Sequence, residues 1–352
     1  MTVMPHDLHR RPRVLSGIRP TGQSFQLGNY VGAVRHWAAM QGENECFFFL
    51  ADLHALTETP EPERLRARTR ESVAELLAMG VDPAKSTLFA QSHLAQHAEL
   101  SWVLACLTGF GEASRMTQFK DKSAAGASAS VGLFYYPVLQ AADILIYQAD
   151  AVPIGEDQRQ HLELTRDLAQ RFNSRYGTTF TLPAPYAGHP GERIRDLQEP
   201  VRKMSKSIGG SGTVWVLDDP KTITKKVRSA VTDTGREVRV ADDKPGISNL
   251  LTILSVATGT PVGELESVYT GKGYGDFKAD VAAALIELFA PVRERYRELI
   301  ADPAHLDVVL AEGATRAREV ADQTMAAVRD RVGLLAPLRL PSPHAPDGPF
   351  AR

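Results

Sequence analysis

Apolar positions lay out the frame of the chain before any chemistry enters. Arg13-Val14-Leu15-Ser16-Gly17-Ile18 reads as a short strand, and Cys46-Phe47-Phe48-Phe49-Leu50-Ala51-Asp52 is an unbroken apolar run suited to a strand buried on both faces. Ser86 to Gln91 reads as another strand, and Ala151-Val152-Pro153-Ile154 as a shorter one. Between them the spacing turns helical. Residues 27, 30, 31, 34 and 37 are apolar at helical spacing after the turn Arg19-Pro20-Thr21-Gly22. Residues 61–80, 94–108, 135–147 and 159–172 predict further helices, the first carrying Arg64, Arg66, Arg68 and Arg70 on what reads as a solvated face. This alternation is that of an α/β fold.

From Pro220 the pattern is helical. A basic helix with Lys221, Lys225, Lys226 and Arg228 is followed by a break over 233–243 and by helices at 247–258, 262–268, 277–300 and 303–333. The chain therefore divides into a loose tail (1–12), an α/β domain (13–200), a loop and connector (201–219), a helical region (220–336) and a tail. The last helix of the helical region is expected to pack back on the first domain. The tail (337–352) holds Pro337, Pro341, Pro343, Pro346 and Pro349 and is expected to be disordered. There is no internal repeat.

Length and composition narrow the class. A chain of 352 residues can bury a sizeable core and predicts two domains. No apolar run approaches the roughly 20 residues a membrane helix needs. Met1 to Arg13 is polar and lacks a signal peptide's apolar segment, so the expected compartment is the cytoplasm. Cys46 and Cys106 lie far apart with no C-x-x-C, which argues against zinc or a disulfide framework and predicts reduced core thiols. A formal net charge of −2 argues against a protein that coats nucleic acid non-specifically. It leaves room for one that grips a particular RNA through local basic patches.

The candidate chemistry centres on Lys203-Met204-Ser205-Lys206-Ser207. No apolar periodicity runs through it, and Pro200 before and Gly209-Gly210 after mark it as a surface loop. Its two lysines are point charges on flexible stems, suited to following phosphate charge as it grows. At Gln26-Leu27-Gly28-Asn29 a turn enters a helix, where free N–H groups and the helix dipole favour an anion. Gly111 to Leu133 carries Arg115, Lys120 and Lys122 and then a small-residue tract, and it reads as a flexible loop over a site. Asp143 sits in an apolar helix with Tyr136 and Gln140. It is costly to bury unless it accepts a hydrogen bond, either structural or from a ligand. His54 and Gly155-Glu156-Asp157-Gln158 follow strand ends, where α/β folds place ligands.

Taken together these motifs resemble those of the class I aminoacyl-tRNA synthetases, and among them the bacterial tryptophanyl-tRNA synthetases. The Lys203–Ser207 string is the signature loop of that class. A fixed five-residue string arises by chance in roughly one chain of this length in ten thousand. Gln26-Leu27-Gly28-Asn29 looks like the tryptophanyl variant of its "HIGH" motif. Further matches run in order through Met116-Thr117-Gln118-Phe119-Lys120, Ala141-Ala142-Asp143-Ile144-Leu145, Gly155-Glu156-Asp157-Gln158, Lys244-Pro245-Gly246-Ile247-Ser248-Asn249 and Gly271-Lys272-Gly273-Tyr274-Gly275.

The resemblance implies a Rossmann-type parallel-sheet nucleotide-binding domain, a helical domain that helps read the anticodon, and a homodimer. It implies ATP and L-tryptophan as substrates, tRNA(Trp) as acceptor, and Mg²⁺ carried on the ATP phosphates. Neither DNA nor a membrane is an expected partner. Lys203, Lys206 and Lys122 would hold pyrophosphate. Arg19, Pro20, Thr21, Gly28, Asn29 and the loop residues Met204, Ser205 and Ser207 would contact ATP, with Gly155, Glu156, Asp157 and Ile194 at its ribose and adenine. Asp143 would accept the indole N–H, with Tyr136, Gln140, His54, Val152, Ile154 and Gln158 forming the tryptophan pocket. Arg19 stands where the family has Gln, which implies a variant, second-copy enzyme less sensitive to tryptophan-mimicking inhibitors. Tyrosyl specificity on the same scaffold, a nucleotidyltransferase and a non-catalytic synthetase-like regulator are the alternatives.

Overall fold

The structure, a computed structural model, describes residues 10–116, 130–155, 158–186, 193–204 and 210–335. Strands β1 (Arg13–Ile18), β2 (Glu45–Leu50), β3 (Ser86–Ala90), β4 (Ala151–Val152) and β5 (Ala184–Pro185) form an all-parallel sheet in the order β3-β2-β1-β4-β5. The register of β1 on β2 runs from Arg13 opposite Glu45 to Ile18 opposite Leu50. Chain order reverses between β1 and β4, so a crevice opens there outside the carboxyl ends of the strands. This is the Rossmann-type architecture expected from the sequence.

Both sheet faces are buried, which is why β2 is apolar from Cys46 to Leu50. Val14, Phe48 and Leu88 face one core, and Leu15, Phe47 and Phe89 the other. Trp37 anchors the first face, its ring stacked on Phe48 at 4.4 Å and 2°. The helix carrying Trp37 is not uniform. A turn at Leu27–Asn29 passes into a π-helical stretch at Tyr30–Val34 before Arg35–Met40. A 3.6-residue pattern cannot reveal such a widening, which is common at functional sites.

Three expectations need correcting. The segment 111–133 is helical at both ends: Phe110–Ser114 is a helix, and another runs Val131–Leu145, its start capped by Ser130 Oγ, which accepts from the Leu133 N–H at 3.2 Å. Residues 117–129 lie outside the described residues. Cys106 is exposed rather than in the core, whereas Cys46 is buried. Arg68 is buried at 1% exposure, because Glu75 on the same helix, Pro62–Ala78, supplies its counter-ion.

After the sheet come helices Pro220–Arg228, Pro245–Thr258, Val262–Val268 and Tyr274–Ile300. The last of these packs on Pro220–Arg228 and on Pro62–Ala78, and its Phe289 meets Tyr30 edge-on at 5.4 Å. Lys244, Asp233 and Tyr274 tie the intervening coil together, with Lys244 Nζ donating to Asp233 at 2.8 Å and to the Tyr274 hydroxyl at 2.9 Å. Helix Pro303–Val332 runs back along β3, the edge strand. A Cβ at Gly313 would lie 1.8 Å from the Leu88 carbonyl oxygen, so glycine alone permits this approach. Arg316 donates to the carbonyls of Pro83 and Ser86. The opposite edge, β5, is two residues long and ends in Pro185, a device that blunts further pairing. No described helix is long and apolar enough to cross a membrane.

Candidate active site

A cavity of about 250 Å³ opens at the carboxyl ends of β1, β2 and β4, at the reversal in strand order. β1 supplies Leu15, Ser16 and Gly17, and helix Val131–Leu145 supplies Tyr136, Gln140, Asp143 and Ile144. Val152, Pro153, Gln158 and His161 close one side, and Phe49, Ala51, His54, Thr57 and Arg19 the other. Gly17 is required by shape, since a Cβ there would sit 2.4 Å from Phe49 Cζ. Ile154, two residues after the cavity residue Val152, is half-buried and packs on the core.

Asp143 is the polar centre of this wall and is 1% exposed. Its Oδ1 accepts from Gln91 Nε2 at 2.7 Å and from His97 Nδ1 at 2.7 Å, and its Oδ2 accepts from His54 Nε2 at 2.8 Å. His97 Nε2 in turn hydrogen-bonds the Tyr147 hydroxyl at 2.8 Å, so both ring nitrogens are engaged and the ring is held in place. Burial alone would push the Asp143 carboxyl up, but the hydrogen bonds from His54 and His97 outweigh it and hold the group down at about 2. Asp143 is therefore an anion kept in the core by three donors. A carboxylate offers about four lone-pair directions, so about one acceptor position on Oδ2 is left.

Tyr136 reaches across the cavity. Its hydroxyl bonds His161 Nε2 at 3.2 Å and its ring meets His54 edge-on at 6.1 Å, and burial pushes its hydroxyl up to about 12. At the mouth, Arg19 pairs with Glu58 at 2.5 Å. The Thr21 N–H donates to the Arg19 carbonyl at 2.9 Å, tightening the turn in which Pro20 is buried.

The two phosphate motifs meet beside this turn. Gln26 Nε2 donates to the Met204 carbonyl at 2.9 Å, joining residues 178 positions apart, and Met204 is 1% exposed. The Met204 N–H donates to the Ile194 carbonyl at 3.1 Å, and Lys203 forms an antiparallel bridge with Arg195. Ile194 and the Gln26 side chain lie about 4 Å from where a Gly28 Cβ would be, so the face of Gly28 is bounded by both motifs. Asn29 accepts from the Gln26 N–H at 3.3 Å, closing the helix start. Behind them Glu75 Oε2 accepts from Ser24 Oγ at 2.6 Å and from the Phe25 N–H at 2.7 Å, while Oε1 accepts from Arg68 Nη1 at 2.5 Å. The turn is thus held from below by a buried ion pair.

Residues 7–290 match the family model described as tRNA synthetases class I (W and Y). The chain belongs to this family. Among curated relatives, tryptophan–tRNA ligase 2 of Streptomyces avermitilis is 59% identical over 92% of this chain and 98% of its own length. Two solved structures are similar throughout. Tryptophanyl-tRNA synthetase from Mycoplasma pneumoniae has a TM-score of 0.84 at 35% identity, covering 92% of this chain and 98% of that one. The Campylobacter jejuni enzyme, complexed with ADP and tryptophan, has a TM-score of 0.80 at 36% identity, covering 92% and 100%.

In this class I synthetase the fold brings His54, Tyr136, Gln140, Asp143, Val152 and Gln158 to one cavity with Arg19 at its mouth. It gathers Gln26, Gly28, Ile194 and Met204 at a second locus. Gly155 is exposed just after β4. Lys122, Glu156, Asp157, Ser205, Lys206 and Ser207 lie outside the described residues. Sequence reasoning missed Gln91, His97 and His161. Gln91 follows an apolar strand in the same way as His54, and that shared position was the available signal. His97 and His161 sit inside helices with no motif around them and gave none.

Proposed function

We propose that this synthetase is a tryptophan–tRNA ligase, and that its cavity at the strand-order reversal holds L-tryptophan. The observation that carries the reading is the buried carboxylate of the cavity wall, Asp143, with one acceptor position left for an indole N–H. Tyr136, Gln140, His54, Val152, Ile154 and Gln158 form the pocket for the ring. A site built to pair one donor rejects an analogue lacking it by about 10⁴-fold. ATP lies along Arg19, Pro20, Thr21, Gly28 and Asn29, its ribose and adenine against Gly155, Glu156, Asp157 and Ile194. The junction of Gln26 with Met204 supports this placement.

The tryptophan carboxylate attacks the α-phosphorus. One P–O bond forms, the bond to the bridging oxygen breaks, and pyrophosphate leaves with the electron pair. A ribose hydroxyl at the 3′ end of tRNA(Trp) then attacks the acyl carbon, its proton is lost, and AMP departs. The substrate is its own nucleophile, so the protein's part is positioning and electrostatic stabilisation. Lys203, Lys206 and Lys122 draw off pyrophosphate charge. Mg²⁺ is expected to be carried on the ATP phosphates. It would offset phosphate charge there.

We assign anticodon reading to the helical region 220–336, the cytoplasm as the compartment, and a second copy of this chain as partner. The exposed Trp102, Phe110 and Val131, on neighbouring helices, support the dimer. Arg19, paired with Glu58 at the cavity mouth, supports a variant, second-copy enzyme with reduced sensitivity to tryptophan mimics. Arg19→Gln should restore inhibition by an indole analogue, and unchanged inhibition refutes that part.

Exchange of labelled pyrophosphate into ATP, driven by tryptophan and not by tyrosine or phenylalanine, tests the first half-reaction, and charging of a tRNA(Trp) transcript tests the second. Exchange with tyrosine instead would keep the fold and overturn the pocket. No exchange from folded protein would leave a synthetase-like regulator.

A further inference from the structure

Helix Pro220–Arg228 takes no part in the cavity or the phosphate motifs. Lys221, Lys225 and Arg228 are spaced i, i+4, i+7 on one face, and all three are exposed. With Pro220, Thr224 and Ser229 they line a shallow groove of about 680 Å³. None of the three makes an ion pair among the described residues, whereas Lys226 on the adjoining face bonds Asp218 at 2.6 Å. Helix stability explains part of this charge, since cations in a last turn suit the dipole. It does not explain Lys221, which sits in the first turn where a cation opposes the dipole. Three bare cations on one face, in a chain of formal net charge −2, call for an anionic partner.

The groove has no aromatic or large aliphatic side chain to anchor a peptide. Lys221 to Arg228 spans about 10 Å of helix axis, long enough to meet successive phosphates of one strand. The groove is also tied to the approach of the signature loop. Gln198 Nε2 donates to the Ser229 carbonyl at 3.0 Å, and the Val231 N–H donates to the Leu197 carbonyl at 2.8 Å. Leu197 and Gln198 lie between Ile194 and Lys203 in the chain. We infer that this face binds backbone phosphates of the tRNA and docks it beside the stem of the Lys203 loop. The inference rests on the ligase reading above.

Lys221→Ala/Lys225→Ala/Arg228→Ala tests it, with Lys85→Ala as an exposed control elsewhere. Alanine favours the helix, so the fold is kept. Binding of a tRNA(Trp) transcript is measured across a salt series, and tryptophan-dependent pyrophosphate exchange is measured without RNA. The triple variant should bind about tenfold or more weakly near 0.1 M salt, with a salt slope shallower by about two to three. Its exchange should stay within about twofold of the parent's, and Lys85→Ala should change neither. Unchanged affinity and slope in the triple variant overturn the inference. So does a loss of exchange as large as the loss of binding, which would place the face in the first reaction. A parent that binds the transcript but performs no exchange would count against the ligase reading and leave the binding result standing on its own.

Discussion

Replacing Glu75 by Gln keeps the shape of a fully buried side chain and removes its charge. Arg68, 1% exposed, would then hold a guanidinium whose nearest remaining carboxylate is Glu71, at 3.3 Å and partly in solvent. Its Nε and Nη2 already have no hydrogen-bond partner. Breaking one half of a buried pair costs about 3–5 kcal/mol, and the nearby Glu71 places this case at the lower end, about 3 kcal/mol. The amide oxygen cannot accept from Arg68, Ser24 and Phe25 together, which adds the loss of one hydrogen bond, about 1 kcal/mol. Adding Arg68→Met removes the stranded charge and fills similar space. The double variant should therefore be more stable than Glu75→Gln alone, with a coupling energy of about 2 kcal/mol. Urea unfolding followed by emission of the buried Trp37 and Trp215 measures all three variants. Because Phe25 leads into Gln26, Glu75→Gln should also raise the KM for ATP in pyrophosphate exchange more than the KM for tryptophan. A cost below about 1 kcal/mol, or strict additivity, would refute the claim that this charge holds the nucleotide-facing turn.

Two further substitutions probe the cavity. Asp143 has its pKa lowered from 3.8 to about 2, so its stabilisation is complete above about pH 4 and is lost as pH falls through about 2. Asp143→Asn should cost roughly 2 kcal/mol at neutral pH and flatten the acid limb between pH 4 and 2, as read from urea midpoints against pH. Gly17→Ala should push the Phe49 ring into the cavity, at an overpacking cost of about 1–3 kcal/mol. Its KM for tryptophan should rise at least severalfold in exchange assays while the KM for ATP changes little.

Much of the frame was legible because it depends on local pattern. The apolar run from Cys46 encodes a strand covered on both faces, and Pro220, Pro245 and Pro303 each open a helix where proline's missing N–H does no harm. Less legible were contacts that depend on what the fold brings together. Arg68 reads as one more cation in a charged helix, and nothing local says that Glu75 and the Phe25 ring will enclose it. Asp143 was recognisable as a costly burial, but its three donors come from positions 54, 91 and 97 on separate elements. In the sequence Gln26 is only the first residue of a turn that enters a helix. Its carboxamide is long enough to reach the Met204 carbonyl, a role defined only once the two loops are adjacent.

The helix laid along β3 has a consequence for synthesis. About 240 residues separate Ala90, the end of β3, from Val332, the end of the helix that covers its outer edge. At about 5–20 residues per second a ribosome needs roughly 12 to 50 s to make that stretch. Throughout that interval the emerging sheet presents an apolar strand with an unpaired backbone edge, the surface on which nascent chains associate with one another. Premature termination anywhere before the last helix would leave that edge open permanently. Such a product would be a substrate for chaperones and proteases even with every residue of the cavity already made.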